Sequence, residues 1–532
     1  MLNTANLLIL LPTIPLFGAI GCFCLHRQRA LAVYLAETLM LVTLALGTIV
    51  TWDYSRQAPA LAAGERGKDQ SFTAIDIPMG RLAERGPVVS LTLAIDGLNT
   101  WLVFLTLVVG TTVVAAGSGW TGEKAGSAMG LILLLVSLTI LAFMSMDMLV
   151  FYVFFELTLV PVFLLIGVWG GSDRVVASQR MFLHTLAGGL CTLLGLLTVA
   201  SATGSFAWDS LNANRPGASQ IAIDPALIFL LLMAGFVVKT PLVPFHTWQA
   251  ITYREAPIPI TVFLSAVMAK LGLYGMLRLG VYVLPGEMES VGAPVLGGMA
   301  VASIVVGALC AFGARDLKTL LAYSSLSHLG YVVLGIVSLD QAGEQGAIFH
   351  MVAHGIVTTG LLMAAGFIEE AEGTLERSRL NGLLEKYPVL SGLFVFFSLA
   401  SVGVPGLSQF VGEFLCLFGF FRSGVASWLG IAAIAGVMSG LFLGAWYTMT
   451  LIQVSFSGES VAGSVPVPAR PRQVAILGSI AVLVVWMGMA PGLILETSRP
   501  EINKLETRLQ SLSAADARHQ AVLAGLDRAK PE

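Results

Sequence analysis

Apolar stretches of about twenty residues recur along nearly the whole 532-residue chain, and a chain patterned this way has one solvent that suits it, the bilayer. In hydrocarbon every backbone N–H and C=O must be satisfied inside the chain, so such stretches are read as helices. The sequence is 56% hydrophobic and 11% charged, whereas a soluble domain carries about 25% charged residues. The expected fold is an all-α polytopic membrane protein of about fourteen transmembrane helices. Spans are predicted near residues 6–24, 30–50, 96–117, 126–146, 148–169, 180–202, 225–249, 256–281, 294–313, 317–338, 345–370, 388–424, 428–455 and 471–493. The first run carries its charges (His26, Arg27, Arg29) behind it and not in front, so it reads as a membrane helix and not a cleaved leader.

Two spans are predicted to break. The seventh holds Pro241 and Pro244, and the twelfth, too long for one straight crossing, holds Pro405-Gly406. Spans seven and twelve are five apart, so spans 4–8 and 9–13 form two repeats of five, each broken in its fourth member. An odd number of spans per repeat makes the copies inverted, the transporter arrangement. The expected divisions are 1–125 (spans 1–3 with a long loop, 51–95), 126–285 (first repeat), 286–455 (second repeat) and 456–532 (span 14 and a polar tail). In that tail Ile502, Leu505, Leu509 and Leu512 fall at helical spacing and predict a short surface helix.

Basic residues favour loops after odd-numbered spans: Arg27, Arg29, Lys124, Arg174, Arg180, Arg254, Arg315, Lys318, Arg377, Arg379, Lys386, Arg470 and Arg472. The even loops offer only Arg215, Arg278 and Arg422. By the positive-inside rule the odd loops are cytoplasmic and both termini lie on the other side. A net charge of −3 gives no reason to expect nucleic acid. The five cysteines (Cys22, Cys24, Cys191, Cys310, Cys416) lie inside apolar runs, with no framework for an iron–sulfur cluster. There is no nucleotide-binding loop, so no redox cofactor is expected in this chain.

An ionisable side chain inside a bilayer costs a few kcal/mol and therefore needs a reason. Glu156, Lys239, Lys270, His354 and Glu413 stand out by depth, and His328 is also mid-span. Lys239 sits at the break of span seven, and Glu413 follows the break of span twelve. Desolvation penalises the charged form of acids and bases alike, and a nearby opposite charge restores it, so groups placed like this can exchange protons. Histidine does so with little tuning. Joined by water, such a row is a proton wire. One buried Glu–Lys pair is easily structural; five or six intramembrane groups, two at helix breaks, argue for transport. His184, His246 and His350 are read as packing or site residues with equal weight. His350 and His354 share a helix face at i,i+4, a geometry zinc sites use, but no third ligand is evident and no metal is expected. Asp96, Asp147 and Lys318 lie near span ends, where hydrogen bonding explains them.

Six motifs in order carry a resemblance: IDGLN at 95–99, FYVFFELTLVPVFLLIGVWGG at 151–171, GFVVKTPLVPFHTW at 235–248, DLKTLLAYSSLSHLGYVVLG at 316–335, MVAHG at 351–355 and VGVPGLSQFVGEF at 402–414. Over roughly residues 90–455 the chain resembles the antiporter-like proton-translocating subunits of respiratory complex I, subunit M (chain 4) among them. The resemblance implies that Glu156 and Lys239 are a gating pair and Lys270 the central relay. His328 and His354 would then be the linking histidines and Glu413 the terminal group. It also implies partners: other antiporter-like membrane-arm subunits, redox subunits holding flavin, iron–sulfur clusters and a quinone site, and lipids, in a bacterial inner membrane. Quinone reduction elsewhere would drive the protons. Three positions depart from the family pattern. QAITY at 249–253 replaces LPDAH, with Glu255 a substitute acid; His350 stands where Gln is common; Gln409 replaces a small residue or Asn. The competing readings are a subunit of a multi-subunit Na⁺/H⁺ antiporter, the membrane arm of a hydrogenase-type complex, and an arm element that has lost pumping.

Overall fold

A computed structural model of the chain describes residues 4–62, 72–82, 86–117, 122–208, 224–457 and 466–507. Helices occupy all fourteen expected positions. They are α1 (Thr4–Cys24), α2 (Arg29–Ala62), α3 (Thr100–Ala116), α4 (Ala125–Met144), α5 (Met148–Trp169), α6 (Arg174–Thr203) and α7 (Pro225–Lys239, resuming at Gln249–Glu255). Then follow α8 (Ile258–Val283), α9 (Pro285–Phe312), α10 (Leu317–Val337), α11 (Gln341–Glu372), α12 (Pro388–Ser401 and Ser408–Arg422), α13 (Val425–Leu451) and α14 (Pro471–Met489). Residues 492–507 form a further helix, α15.

Burial ranks these helices. The most apolar window of α8 is 100% buried and those of α10 and α11 89%, against 28% for α13 and 22% for α14. Polar side chains on α8, α10 and α11 therefore meet protein and not lipid, the one setting in which intramembrane charge is sustainable.

The breaks in α7 and α12 fall where the prolines place them. In α7 the carbonyl of Val238, freed by the break, accepts from the Trp248 indole at 3.0 Å, and the Val243 N–H donates to Ser303 Oγ at 2.9 Å. In α12 the chain turns through Gly403 and Gly406 at φ +80° and +90°. Gly403 has a second reason to be glycine, because a Cβ there would stand 2.7 Å from a carboxylate oxygen of Glu413.

The structure corrects several expectations. The 51–95 segment is not one loop: α2 continues to Ala62, burying Thr51, Tyr54, Ser55, Ala58 and Leu61 at helical spacing. Strands β1 (Phe72–Arg81) and β2 (Val88–Ile95) then pair antiparallel, so the helical fold carries one hairpin. Along β2 burial deepens toward the end that enters the bundle, where Leu93, Ala94 and Ile95 are all buried. Arg278 is not a loop residue. It lies within α8, buried, and forms an ion pair with Asp96. The tail stripe is a packing face on α15, with Ile502 and Leu505 buried; Leu509 and Leu512 lie outside the described residues, as does Arg215.

The IDGLN motif is a clasp. One Asp96 carboxylate oxygen accepts from the N–H groups of Leu98 (2.9 Å) and Asn99 (3.2 Å), and the other meets Arg278. The Asn99 amide donates to the carbonyls of Ala94 (3.0 Å) and Phe143 (2.8 Å), tying β2, α3 and α4 together. Asp96→Ala would leave the buried Arg278 guanidinium without its ion-pair partner, a loss of about 3–5 kcal/mol. The expected result is a sharp fall in assembled protein on a native gel; normal assembly and thermal stability would show that the clasp is dispensable.

Candidate functional site

Glu156 lies at an interruption that the sequence reading missed. α5 is two helical pieces, Met148–Leu157 and Leu159–Trp169, meeting at Thr158. The signal was Pro161, which has no N–H for the carbonyl of Leu157 four residues earlier. Lys239, the last residue before the break in α7, reaches into this interruption. Its Nζ donates to the Phe155 carbonyl at 2.6 Å and to Thr158 Oγ1 at 3.1 Å, and sits 3.5 Å from the Phe155 ring centroid. Neither carboxylate oxygen of Glu156 has a hydrogen-bond partner. The carboxylate lies over Gly189 of α6, where any Cβ would collide with it. Two broken helices thus bring acid and base side by side, with the ammonium held by backbone and the carboxylate free to accept.

Lys270 uses irregular backbone in the same way. α8 contains a π-helical turn at Leu264–Met268, and Lys270 Nζ donates to the Ser265 carbonyl inside it at 2.7 Å. The second contact of Nζ is His354 Nδ1 on α11, also at 2.7 Å. Both residues are fully enclosed. The His354 and His328 ring centroids are 5.6 Å apart, a gap that one water or a ring rotation spans. His328 Nδ1 lies 2.8 Å from Glu413 Oε1 and 2.9 Å from Gln409 Nε2. That nitrogen cannot donate to the carboxylate and accept from the amide at once, so the proton has two alternative placements here. A cavity of about 20 Å³ adjoins His328 and Glu413, lined also by Ser401, Tyr331 and Thr448, and is large enough for a water.

Between Lys239 and Lys270 the sequence reading had nothing to offer. A cavity of about 10 Å³ beside Lys239 is lined by Thr185, Tyr253, Leu264 and Met268. The buried Tyr253 hydroxyl has the side chains of Gln249, Ser265 and Ser325 beside it, and the two serine hydroxyls are 3.1 Å apart. Tyr253 is the last residue of the divergent QAITY segment, where the family's His would stand. The six singled-out residues therefore form two clusters, Glu156–Lys239 and Lys270–His354–His328–Glu413, with Tyr253, Ser265 and Ser325 between them.

The other histidines separate by environment. His184 is exposed and bonds the Arg180 carbonyl at 2.8 Å. His246 is half-buried beside the α7 break. His350 is fully buried with neither ring nitrogen hydrogen-bonded. Glu255 is anchored by the Asp173 N–H (2.9 Å) and Arg254 Nε (3.1 Å). It lines a cavity of about 610 Å³, together with Lys318 and Glu369, which pair at 3.3 Å. This cavity opens at the end of the bundle opposite the hairpin.

Residues 145–439 match the family described as NADH:quinone oxidoreductase/Mrp antiporter, TM. NADH-quinone oxidoreductase subunit M of Rhodobacter capsulatus is 34% identical over 425 residues, 78% of this chain and 81% of that protein. A chain of respiratory complex I from Thermus thermophilus superposes with a TM-score of 0.77 at 28% identity, covering 94% of this chain and 99% of that one. A chain of the Mrp complex from Dietzia sp. has the same fold, with a TM-score of 0.78 at 20% identity over 95% and 98% of the two chains.

Proposed function

Because the chain belongs to the NADH:quinone oxidoreductase/Mrp antiporter family of membrane subunits, we propose that it is a proton-translocating membrane-arm subunit of a complex I-type quinone oxidoreductase. One observation carries the reading. Acid, base and imidazole groups follow one another through the bundle interior, the two lysines held by broken or π-helical backbone and the histidines and Glu413 by one another's side chains. In this reading protons enter from the cavity lined by Glu255 and Lys318 and reach the centre near Lys239 and Tyr253. They pass to Lys270 and continue through His354 and His328 to Glu413. Glu156 gates the series: when its carboxylate draws Lys239 away from the Phe155 carbonyl, the positive charge withdraws from the path to Lys270, which can then take up a proton. When Lys239 returns, Lys270 is driven to release it toward His354.

The excess of Lys and Arg in the loops beside the larger cavity supports a cytoplasmic position for that end, with the hairpin and α15 on the other side of what we read as a bacterial plasma membrane. Flavin, iron–sulfur clusters and the quinone site belong to partner subunits. The higher identity to subunit M favours this assembly over a gradient-driven Na⁺/H⁺ exchanger. A mild-detergent native gel with mass spectrometry of the band tests the choice. Co-migration with iron–sulfur and quinone-site subunits is expected; migration with antiporter-like membrane subunits alone would refute it.

Tyr253→Phe tests the link between the two clusters. Removing one hydroxyl of hydrogen-bond strength is expected to slow proton pumping about fivefold without loss of assembly. Unchanged pumping in this variant would place the path elsewhere.

A further inference from the structure

We propose that His328, His350 and Glu413 form a binding site for a divalent transition-metal ion of the zinc class, and that an ion bound there blocks the proton path. One ligand atom from each of the three residues lies within 4.8 Å of the others. They come from three helices, α10, α11 and α12, so the site exists only in the folded bundle. The sequence reading paired His350 with His354 and found no third ligand; the fold turns His350 toward His328 and Glu413 instead.

His350 is the independent observation. It is fully enclosed, and neither ring nitrogen has a hydrogen-bond partner; the backbone of His328 and Gln409 lies beside the ring without hydrogen-bonding geometry. A buried imidazole with no partner has given up its hydrogen bonds to water without replacement, a loss that a ligand would recover. The buried Gln409 Oε1 beside it is also without a partner and supplies a fourth donor. Two imidazoles and a carboxylate are a zinc set, and a neutral amide oxygen suits the remaining position. Tetrahedral zinc holds its ligand atoms about 3.3 Å apart, so the trio must close by at most about 1.5 Å.

The ion takes the place of the proton shared by His328 Nδ1 and Glu413, and that proton leaves to solvent. Two of the relay groups are then coordinated and cannot carry protons. Lys270 stands close by, joined to His354 one helical turn from His350. A bound dication opposes its protonation, so the block reaches the centre of the path as well.

The test uses the purified complex and Zn²⁺ alone, with free metal removed before elemental analysis. The unsubstituted complex should retain one zinc more than His350→Gln, and half-inhibition of its proton pumping should require roughly tenfold less Zn²⁺ or lower still. Glu413→Gln should lose the same zinc, read by metal content because its pumping is itself impaired. That variant also carries the test if His350→Gln fails to assemble. Equal zinc content in all three overturns the site. A lower content with an unchanged inhibitory concentration overturns the block. Neither readout of metal content depends on the relay being correct, so the site can fail while the proposed function stands.

Discussion

Alanine in place of Lys270 removes most coupled proton transport from a complex that still assembles. The ammonium bridges the π turn of α8 and His354 of α11, through the Ser265 carbonyl and His354 Nδ1, each at 2.7 Å. Losing a positioned proton donor costs roughly 10²-fold or more in the transfer step. Assembly survives because two opposing terms nearly offset. The Ser265 carbonyl and His354 each lose a hydrogen bond of about 1 kcal/mol, while the desolvation of a buried ammonium is relieved. Quenching of a pH-sensitive dye in inverted vesicles, scaled to the amount of complex on a native gel, reads the effect. Pumping at more than about half the unsubstituted rate would contradict it.

Glu156→Ala is expected to have an effect of the same order for a different reason. The carboxylate makes no hydrogen bond that the fold would miss and rests over Gly189. What the substitution removes is the counter-charge that draws Lys239 off the Phe155 carbonyl. With Lys239 locked there, its positive charge stays beside the path to Lys270, and the loading step fails. The signature is loss of pumping with normal assembly and thermal stability. A variant that assembles poorly but pumps normally per complex would make Glu156 structural.

The spans and both proline breaks were legible because apolar length and proline are local signals. The hairpin was not: β1 is largely exposed and carries both charge signs, so its alternation is diluted. The interruption of α5 was legible in principle from Pro161. The π turns of α8 have no residue signature at all; they depend on packing around a wholly buried helix. Each charged group of the site could be named from its depth in a span. Which groups would touch could not, because Lys270 and His354 are 84 residues apart, as are Lys239 and Phe155. Tyr253 escaped notice because a tyrosine near a span end is ordinary, and only its neighbours Ser265 and Ser325 give it a role. Arg278 was misplaced for the same reason: its partner Asp96 is 182 residues away.

The central claim is that protons pass through this chain's own side chains. Purified complex carrying Lys270→Ala or Glu156→Ala, reconstituted into proteoliposomes, tests it through the number of protons moved per electron pair delivered to quinone. The account predicts a stoichiometry below that of the unsubstituted complex at every rate of quinone reduction. An unchanged stoichiometry in fully assembled variants would mean that the protons travel by another route.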